Sequence, residues 1–304
     1  MENGIRVEHL TKTLGEFKLE DINFSMKKGY VLGLIGRNGA GKTTLLNTLM
    51  GLWTPEEGKI YIGDYDRVTE EVQAKDRIAF ITDECFFPSG MTPAGIGWLF
   101  KSVYTSFNES HFKKLCKRFG LPMHLSLRKM SRGMVIKLQI ALAFSRDALL
   151  YVFDEPSAGL DPVFRKEFVD IIFDLIQDGE KSVIFSTHLT DELDRIADYI
   201  LFLEKGKQVL FEQKEELVSR YRLLRGSRER IEEYDAQMIG KRLTENSCEA
   251  LIQVEPRSVP DKKIAPGSTD ISADIGTNIM KDNLQLLTPT VEDIMYYFIK
   301  GREA

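Results

Sequence analysis

The chain has 304 residues, 43% hydrophobic and 29% charged, the balance of a globular protein with room for one large domain and a smaller one. Its net charge of −5 argues against a general nucleic-acid binder, because gripping a polyanion needs concentrated Lys and Arg to displace counterions. Three cysteines, Cys85, Cys116 and Cys248, lie far apart without the spacing of a disulfide framework or zinc site, so they read as reduced thiols.

Met1 to Leu10 carry Glu2, Arg6 and Glu8, so no secretory leader is expected at the start. Ile5 to Leu10, Ile22 to Met26 and Lys59 to Tyr65 are short and partly alternating; they predict antiparallel strands bounded by turns at Gly15, Lys28-Gly29 and Gly58. Val31 to Ile35, Leu149 to Phe153, Val183 to Ser186 and Ile200 to Leu203 are apolar without alternation, as in a parallel sheet covered on both faces. Helical spacing lies between them, clearest in Phe164, Phe168, Ile171, Ile172, Leu175 and Ile176, with Asp161 as N-cap and Pro162 as first helical residue. An α/β fold follows.

From Thr92 to Met130 helical spacing replaces strands, as in Phe112, Leu115, Cys116 and Phe119, and predicts an inserted helical subdomain spanning 84–132. After the turn at Lys205-Gly206-Lys207, a charged stretch from Lys214 to Arg242 carries Leu217, Leu223, Leu224 and Ile231 and predicts one or two amphipathic helices. The division expected is therefore 1–213 and a C-terminal accessory or dimerisation module over 214–304. Glu255 to Thr269, with Pro256, Pro260, Pro266 and Gly267, reads as an exposed loop. Apolar runs such as Ala148 to Phe153 are far shorter than the about 20 residues a spanning helix needs, so any membrane role would pass through a partner.

Gly36-Arg37-Asn38-Gly39-Ala40-Gly41-Lys42-Thr43 fits the phosphate-loop pattern GxxxxGK(S/T) between an apolar strand and a helical run opening at Thr44. The glycines let successive N–H groups face a triphosphate, and the helix start adds its positive dipole end. Gly36, Asn38, Gly39, Ala40, Gly41, Lys42, Thr43 and Thr44 are therefore candidate ATP-binding residues. Lys42 would reach the β- and γ-phosphates, and Thr43 would bind Mg²⁺ through its hydroxyl.

A second apolar strand ends in Asp154-Glu155. Asp154 would hold Mg²⁺ through a water and Glu155 would polarise the water that attacks the γ-phosphate, although two acids at a strand end are often simply solvated. His188 follows a third buried strand, where a catalytic group could sense the γ-phosphate; a lone histidine there is more often packed or exposed.

The order of these motifs resembles the ATPase cassette of ABC transporters: phosphate loop, Met130-Ser131-Arg132-Gly133-Met134, Asp154-Glu155, Ser157-Ala158-Gly159-Leu160-Asp161, then His188. The likeness covers roughly the first two thirds of the chain and implies a P-loop NTPase fold with an N-terminal antiparallel β subdomain. Residues 130–134 are similar to the LSGGQ signature, keeping Ser131 and Gly133, with Arg132 and Met134 resembling exporter variants. The resemblance implies that Ser131 and Gly133 close over the γ-phosphate held by another copy, with Asp161 at the interface of a head-to-tail dimer, homodimeric or heterodimeric. In the family a Gln commonly links Mg²⁺ to the helical subdomain; Asp83 takes that place here, a candidate metal ligand. An aromatic commonly stacks on adenine; Leu14 lies nearest that position and Phe17 is the nearest aromatic.

Leu287 to Met295 resembles the tail of cassettes serving two-gene exporters of drugs, lantibiotics or toxic peptides, with a similarity to exporters of phenol-soluble-modulin-type peptides. The implied partner is a separate transmembrane permease. The implied location is cytoplasmic, on the inner face of the membrane.

Overall fold

A computed structural model describes residues 3–82, 85–157, 159–187, 190–234, 237–243, 248–254 and 285–300. The chain forms two compact units, Met1–Phe211 and Glu212–Ala304.

The first unit opens with β1 (Asn3–Leu14) and β2 (Phe17–Lys27), an antiparallel hairpin closed at Leu14 opposite Phe17. β3 (Val31–Ile35) leads into α1 (Lys42–Met50). β4 (Glu57–Ile62) returns to pair antiparallel with β1, and β5 (Tyr65–Asp66) follows it. The expected strand over Lys59 to Tyr65 is thus broken after Ile62. Gly58 lies inside β4 rather than in a turn before it, close to the register irregularity between Glu8 and Thr11 of β1.

After α2 (Glu71–Asp76) and β6 (Ile78–Ile81), helices take over as the spacing predicts: α3 (Pro93–Val103), α4 (Glu109–Arg118), a 3-10 turn over Leu127–Lys129 and α5 (Arg132–Phe144). Then β7 (Leu150–Asp154), α6 (Pro162–Ile176), β8 (Ser182–Ser186), α7 (Thr190–Ile196), β9 (Tyr199–Glu204) and β10 (Lys207–Gln213) complete the set. Strand β10 is absent from the sequence expectation, which passes from the Gly206 turn directly to a charged stretch.

These strands form one sheet in the order β5-β4-β1-β2-β10-β9-β3-β8-β7-β6. Strands β9-β3-β8-β7-β6 pair in parallel. β3, β7 and β8 are buried at every position, which is why their sequences lack alternation. Behind β7, the rings of Phe153, Phe168 and Phe185 pack with centroids 5.5 to 6.3 Å apart. Deleting one such ring from a core costs about 3–5 kcal/mol, so the strand ending in Asp154 is rigidly seated.

The second unit keeps two short helices in the stretch expected to form one or two, but sets a strand between them and adds a sheet. It holds α8 (Lys214–Arg220), β11 (Tyr221–Gly226), α9 (Arg228–Glu232), β12 (Met238–Leu243), β13 (Cys248–Gln253), β14 (Gln285–Leu287) and α10 (Val291–Lys300). The strands form a sheet ordered β12-β13-β11-β14. Leu223 and Leu224 belong to a strand because neighbouring strand residues face opposite ways and both faces are covered. Leu224 joins Ile231 of α9, Cys248, Ala250 and Ile252 in one core. On the other face, where Leu223 sits opposite Leu251, Tyr297 of α10 donates its hydroxyl hydrogen to Glu249 Oε1 at 2.9 Å. Ile294 and Tyr297 of this helix are buried. The proposed loop over Glu255 to Thr269 lies outside the described residues.

Candidate functional site

The backbone from Ile35 to Lys42 wraps into a tight loop because Gly39 and Gly41 take positive φ, 80° and 109°, a region that costs other residues strain. Ala40 is buried beneath the loop, and its carbonyl accepts from Gly206 N–H at 3.0 Å. Lys42, the first residue of α1, is 8% exposed and donates from Nζ to Gly36 O at 2.8 Å. That partner is a neutral carbonyl, so the loop offers a buried positive charge, N–H groups and a helix start to an anion.

A cavity of about 510 Å³ is lined by Phe17, Arg37, Asn38, Gly39, Gly41, Lys42, Thr43, Thr44, Asp154 and Glu155. It joins the two motifs although they stand more than a hundred residues apart in the chain. Gly36 and Ala40 support the loop from behind without lining this space. Phe17 lines it with a half-buried ring that also packs on the sheet core, whereas Leu14 is not among the lining residues.

Strand pairing sets the carboxylates. Asp154 ends β7 opposite Ser186, whose hydroxyl donates to Asp154 Oδ1 at 2.7 Å, while Thr43 Oγ1 donates to Oδ2 at 3.0 Å. A carboxylate and a hydroxyl from separate elements therefore share one point in space. This all-oxygen pair suits Mg²⁺, which uses one or two protein ligands and fills its octahedron with phosphate oxygens and water. Glu155 leaves the strand with φ 50°, an unusual value for a side-chain-bearing residue, held by its N–H donating to Ser186 O at 3.1 Å. This turn separates the two acids: Asp154 stays buried beside Thr43, and Glu155 is half-exposed on the cavity wall.

Ser131, Gly133 and Asp161 do not line that cavity; they cluster elsewhere. Ser131 caps α5, its Oγ accepting from Met134 N–H at 3.2 Å. A side chain on Gly133 would meet Gly159 O at 3.2 Å, so the signature turn and the turn after Glu155 pack backbone to backbone. Asp161 caps α6 by accepting from Phe164 N–H at 2.9 Å, and its other oxygen lies 3.5 Å from Lys137 Nζ of α5. The Phe164 hydrogen bond, helped by Lys137, holds the Asp161 carboxyl below the usual carboxylate range. His188 and Asp83 lie outside the described residues.

Besides Ser186, two buried residues that hold segments flanking the site carry no local sequence signal. Gln139 of α5 is buried and clamps Thr82, donating from Nε2 to Thr82 O at 3.1 Å and accepting from Thr82 N–H at 3.3 Å. It fixes the strand end that precedes Asp83. Glu192 of α7 is also buried and accepts from Ser157 Oγ at 2.8 Å.

Comparison with known proteins identifies the family. The ABC transporter family model matches residues 19–158, and a model described as an AAA domain, putative AbiEii toxin, Type IV TA system, matches 124–194. The ABC transporter ATP-binding protein NatA of Bacillus subtilis is 31% identical over 63% of this chain and 80% of its own. The bacitracin transport ATP-binding protein BcrA of Bacillus licheniformis is 29% identical over 68% of this chain and 69% of its own. The nucleoside import ATP-binding protein NupA of Lactococcus lactis is 31% identical over 68% of this chain and 43% of its own. A solved ATP-binding subunit of an ABC transporter superposes with a TM-score of 0.65 at 25% identity, over 70% of this chain and 91% of that one. With the phosphate loop, paired acids and signature helix in the family's order, the chain belongs to the ABC transporter ATP-binding proteins and is an ABC ATPase.

Proposed function

We propose that this ATPase powers export of a drug or peptide through a separate transmembrane subunit, taking up Mg-ATP between two copies of the cassette or between this chain and a related subunit. One observation carries the two-copy site: Lys42, Thr43, Asp154 and Glu155 share a cavity whose lining omits Ser131, Gly133 and Asp161. A second copy, placed head to tail, would bring its Ser131 helix start to the γ-phosphate, and closure would follow from ATP binding the closed form more tightly.

In the mechanism, Lys42 and the loop N–H groups bind the phosphates, and Phe17 offers an aromatic wall to the base. Thr43 and Asp154 would hold Mg²⁺, which supplies charge neutralisation at the β- and γ-phosphates. Glu155 orients a water and takes up its proton, with His188 contributing on the γ-phosphate side. The C-terminal unit, assigned here to 214–304, acts as an accessory or dimerisation module.

Among the described residues no helix is long and apolar enough to cross a membrane, which fits a motor working beside a separate permease at the inner membrane face. An apolar groove of about 250 Å³ in the helical region, walled by Phe86, Phe87, Leu99, Phe100 and Val103, offers that permease a docking surface. The similarity to BcrA and the exporter-like Arg132 and Met134 favour export; the similarity to NupA makes uptake the alternative outcome. Glu155→Gln should bind Mg-ATP normally, turn over at least about a hundredfold more slowly and accumulate a closed dimer. Co-purification with a multi-span membrane protein, followed by efflux assays in vesicles, tests the rest; ATP-driven uptake would overturn export, and a monomer unchanged by Mg-ATP would overturn the two-copy site.

A further inference from the structure

Glu192 is a carboxylate that the mechanism above does not use, and it sits where two mechanistic segments meet. Its Oε2 accepts from Ser157 Oγ at 2.8 Å and from Thr187 Oγ1 at 3.5 Å. Its Oε1 lies 3.4 Å from Arg165 Nε of α6, close enough for an ion pair but without hydrogen-bond geometry. Ser157 stands two residues beyond Glu155 and begins the turn that ends at Asp161; Thr187 stands immediately before His188. Ser157, Thr187 and Glu192 are all buried. A buried carboxylate is costly unless its partners are well placed, and an apolar residue would fill this position at less cost. Burial pushes the Glu192 carboxyl upward, opposed by the Ser157 hydrogen bond and the Arg165 charge, so the tie is kept against a desolvation cost.

We propose that Glu192 is a positioning residue for ATP hydrolysis, tying the turn after Glu155 to the strand end before His188 so that the water-polarising side and the γ-phosphate side are set together. The proposal rests on the assignment of Glu155 and His188 made above. Its physical basis is the left-handed backbone at Glu155, which persists only while its surroundings over-determine it. One constraint is the Glu155 N–H bond to Ser186 O; the Ser157 bond to Glu192 is a second, two residues downstream. Removing it lets the turn relax without touching the phosphate loop, so turnover should suffer while nucleotide affinity does not.

The test uses the full chain carrying Ser157→Ala, Glu192→Ala, both together, and the conservative Glu192→Gln, which keeps an oxygen able to accept from Ser157. Glu192→Ala should lower kcat about tenfold or more with KM for ATP within about twofold, and the double variant should be no slower than Glu192→Ala alone. Glu192→Gln should recover at least about half of the lost rate on the same reasoning. Hydrogen exchange on nucleotide-free protein is the independent arm: both alanine variants should speed exchange at 157–161 and at 186–187 together. A lowered Tm with unchanged kcat and unchanged local exchange would overturn the proposal, as would fully multiplicative effects of the two alanines. Normal turnover in Glu155→Gln would instead remove the water-polarising assignment, and the exchange arm would still decide whether Glu192 ties the two segments.

Discussion

Replacing Ser186 with Ala removes one oxygen from beside the Asp154 carboxylate. Ser186 is fully buried and Asp154 is 7% exposed, and the hydroxyl donates to Oδ1 at 2.7 Å. A hydrogen bond to an ionised acceptor contributes about 1.5–3 kcal/mol, and losing the donor leaves Asp154 with Thr43 on its other oxygen. The hydroxyl is fully buried, so about 2 kcal/mol is the expected loss. For a unit of roughly 200 residues that corresponds to a Tm lower by about 4–8 °C in calorimetry of the nucleotide-free chain. Because Asp154 is then held at one oxygen, Mg-ATP binding should weaken by about tenfold, while ATP with chelator present should bind within about twofold of the original. Calorimetric scans and paired titrations read both quantities. A Tm shift under about 1 °C with an unchanged Mg²⁺ advantage would refute the claim that this hydroxyl seats the carboxylate.

Lys42→Ala should weaken ATP binding by at least about tenfold, visible by isothermal titration, because the buried ammonium is the charge the loop offers to phosphate. Gly133→Ala must displace Gly159 O by a few tenths of an ångström, so it should lower turnover relative to the unaltered chain in steady-state assays, and an unchanged kcat would count against that packing contact. The Glu192 carboxyl, raised by burial despite Ser157 and Arg165, binds its proton more tightly in the folded chain than in the unfolded one. Its stabilisation is therefore complete below the unfolded value near 4.5 and is lost as pH rises through the raised folded value. As pH rises above the unfolded value, Tm should fall less in Glu192→Gln than in the unaltered chain, since the amide has no proton to lose.

The site is legible in the sequence where its parts are contiguous. The phosphate loop declares itself because the turn, the amides and the cation come from eight consecutive residues, and Asp154-Glu155 because one apolar strand ends in both. Ser131 and Asp161 are readable as caps, since capping is a local interaction, and the structure shows both side chains accepting from the third residue along. Ser186, Gln139 and Glu192 are not readable, because each acquires its partner only when distant strand ends are brought together. Nothing local separates Glu192 from Asp191 or Asp194 on the same short helix. The second unit shows the complementary difficulty: Leu223-Leu224 fits a helix face and a two-sided strand equally well, and only the cover on both sides of β11 decides. Phe17 shows the same dependence on distant segments: its ring packs on the sheet core and also lines the phosphate-loop cavity.

The hairpin tip joining β9 to β10 carries none of the family's motifs, yet Gly206 gives its N–H to Ala40 O and receives Glu20 N–H at 2.8 Å. It acts as a keystone, locking the underside of the phosphate loop to the N-terminal hairpin. A fragment cut after Glu204 would retain every motif residue and still lack the floor on which the loop rests. The smallest functional cassette must therefore extend through the return strand, and domain dissections that stop at the last recognisable motif should yield protein that folds in part but does not hold nucleotide.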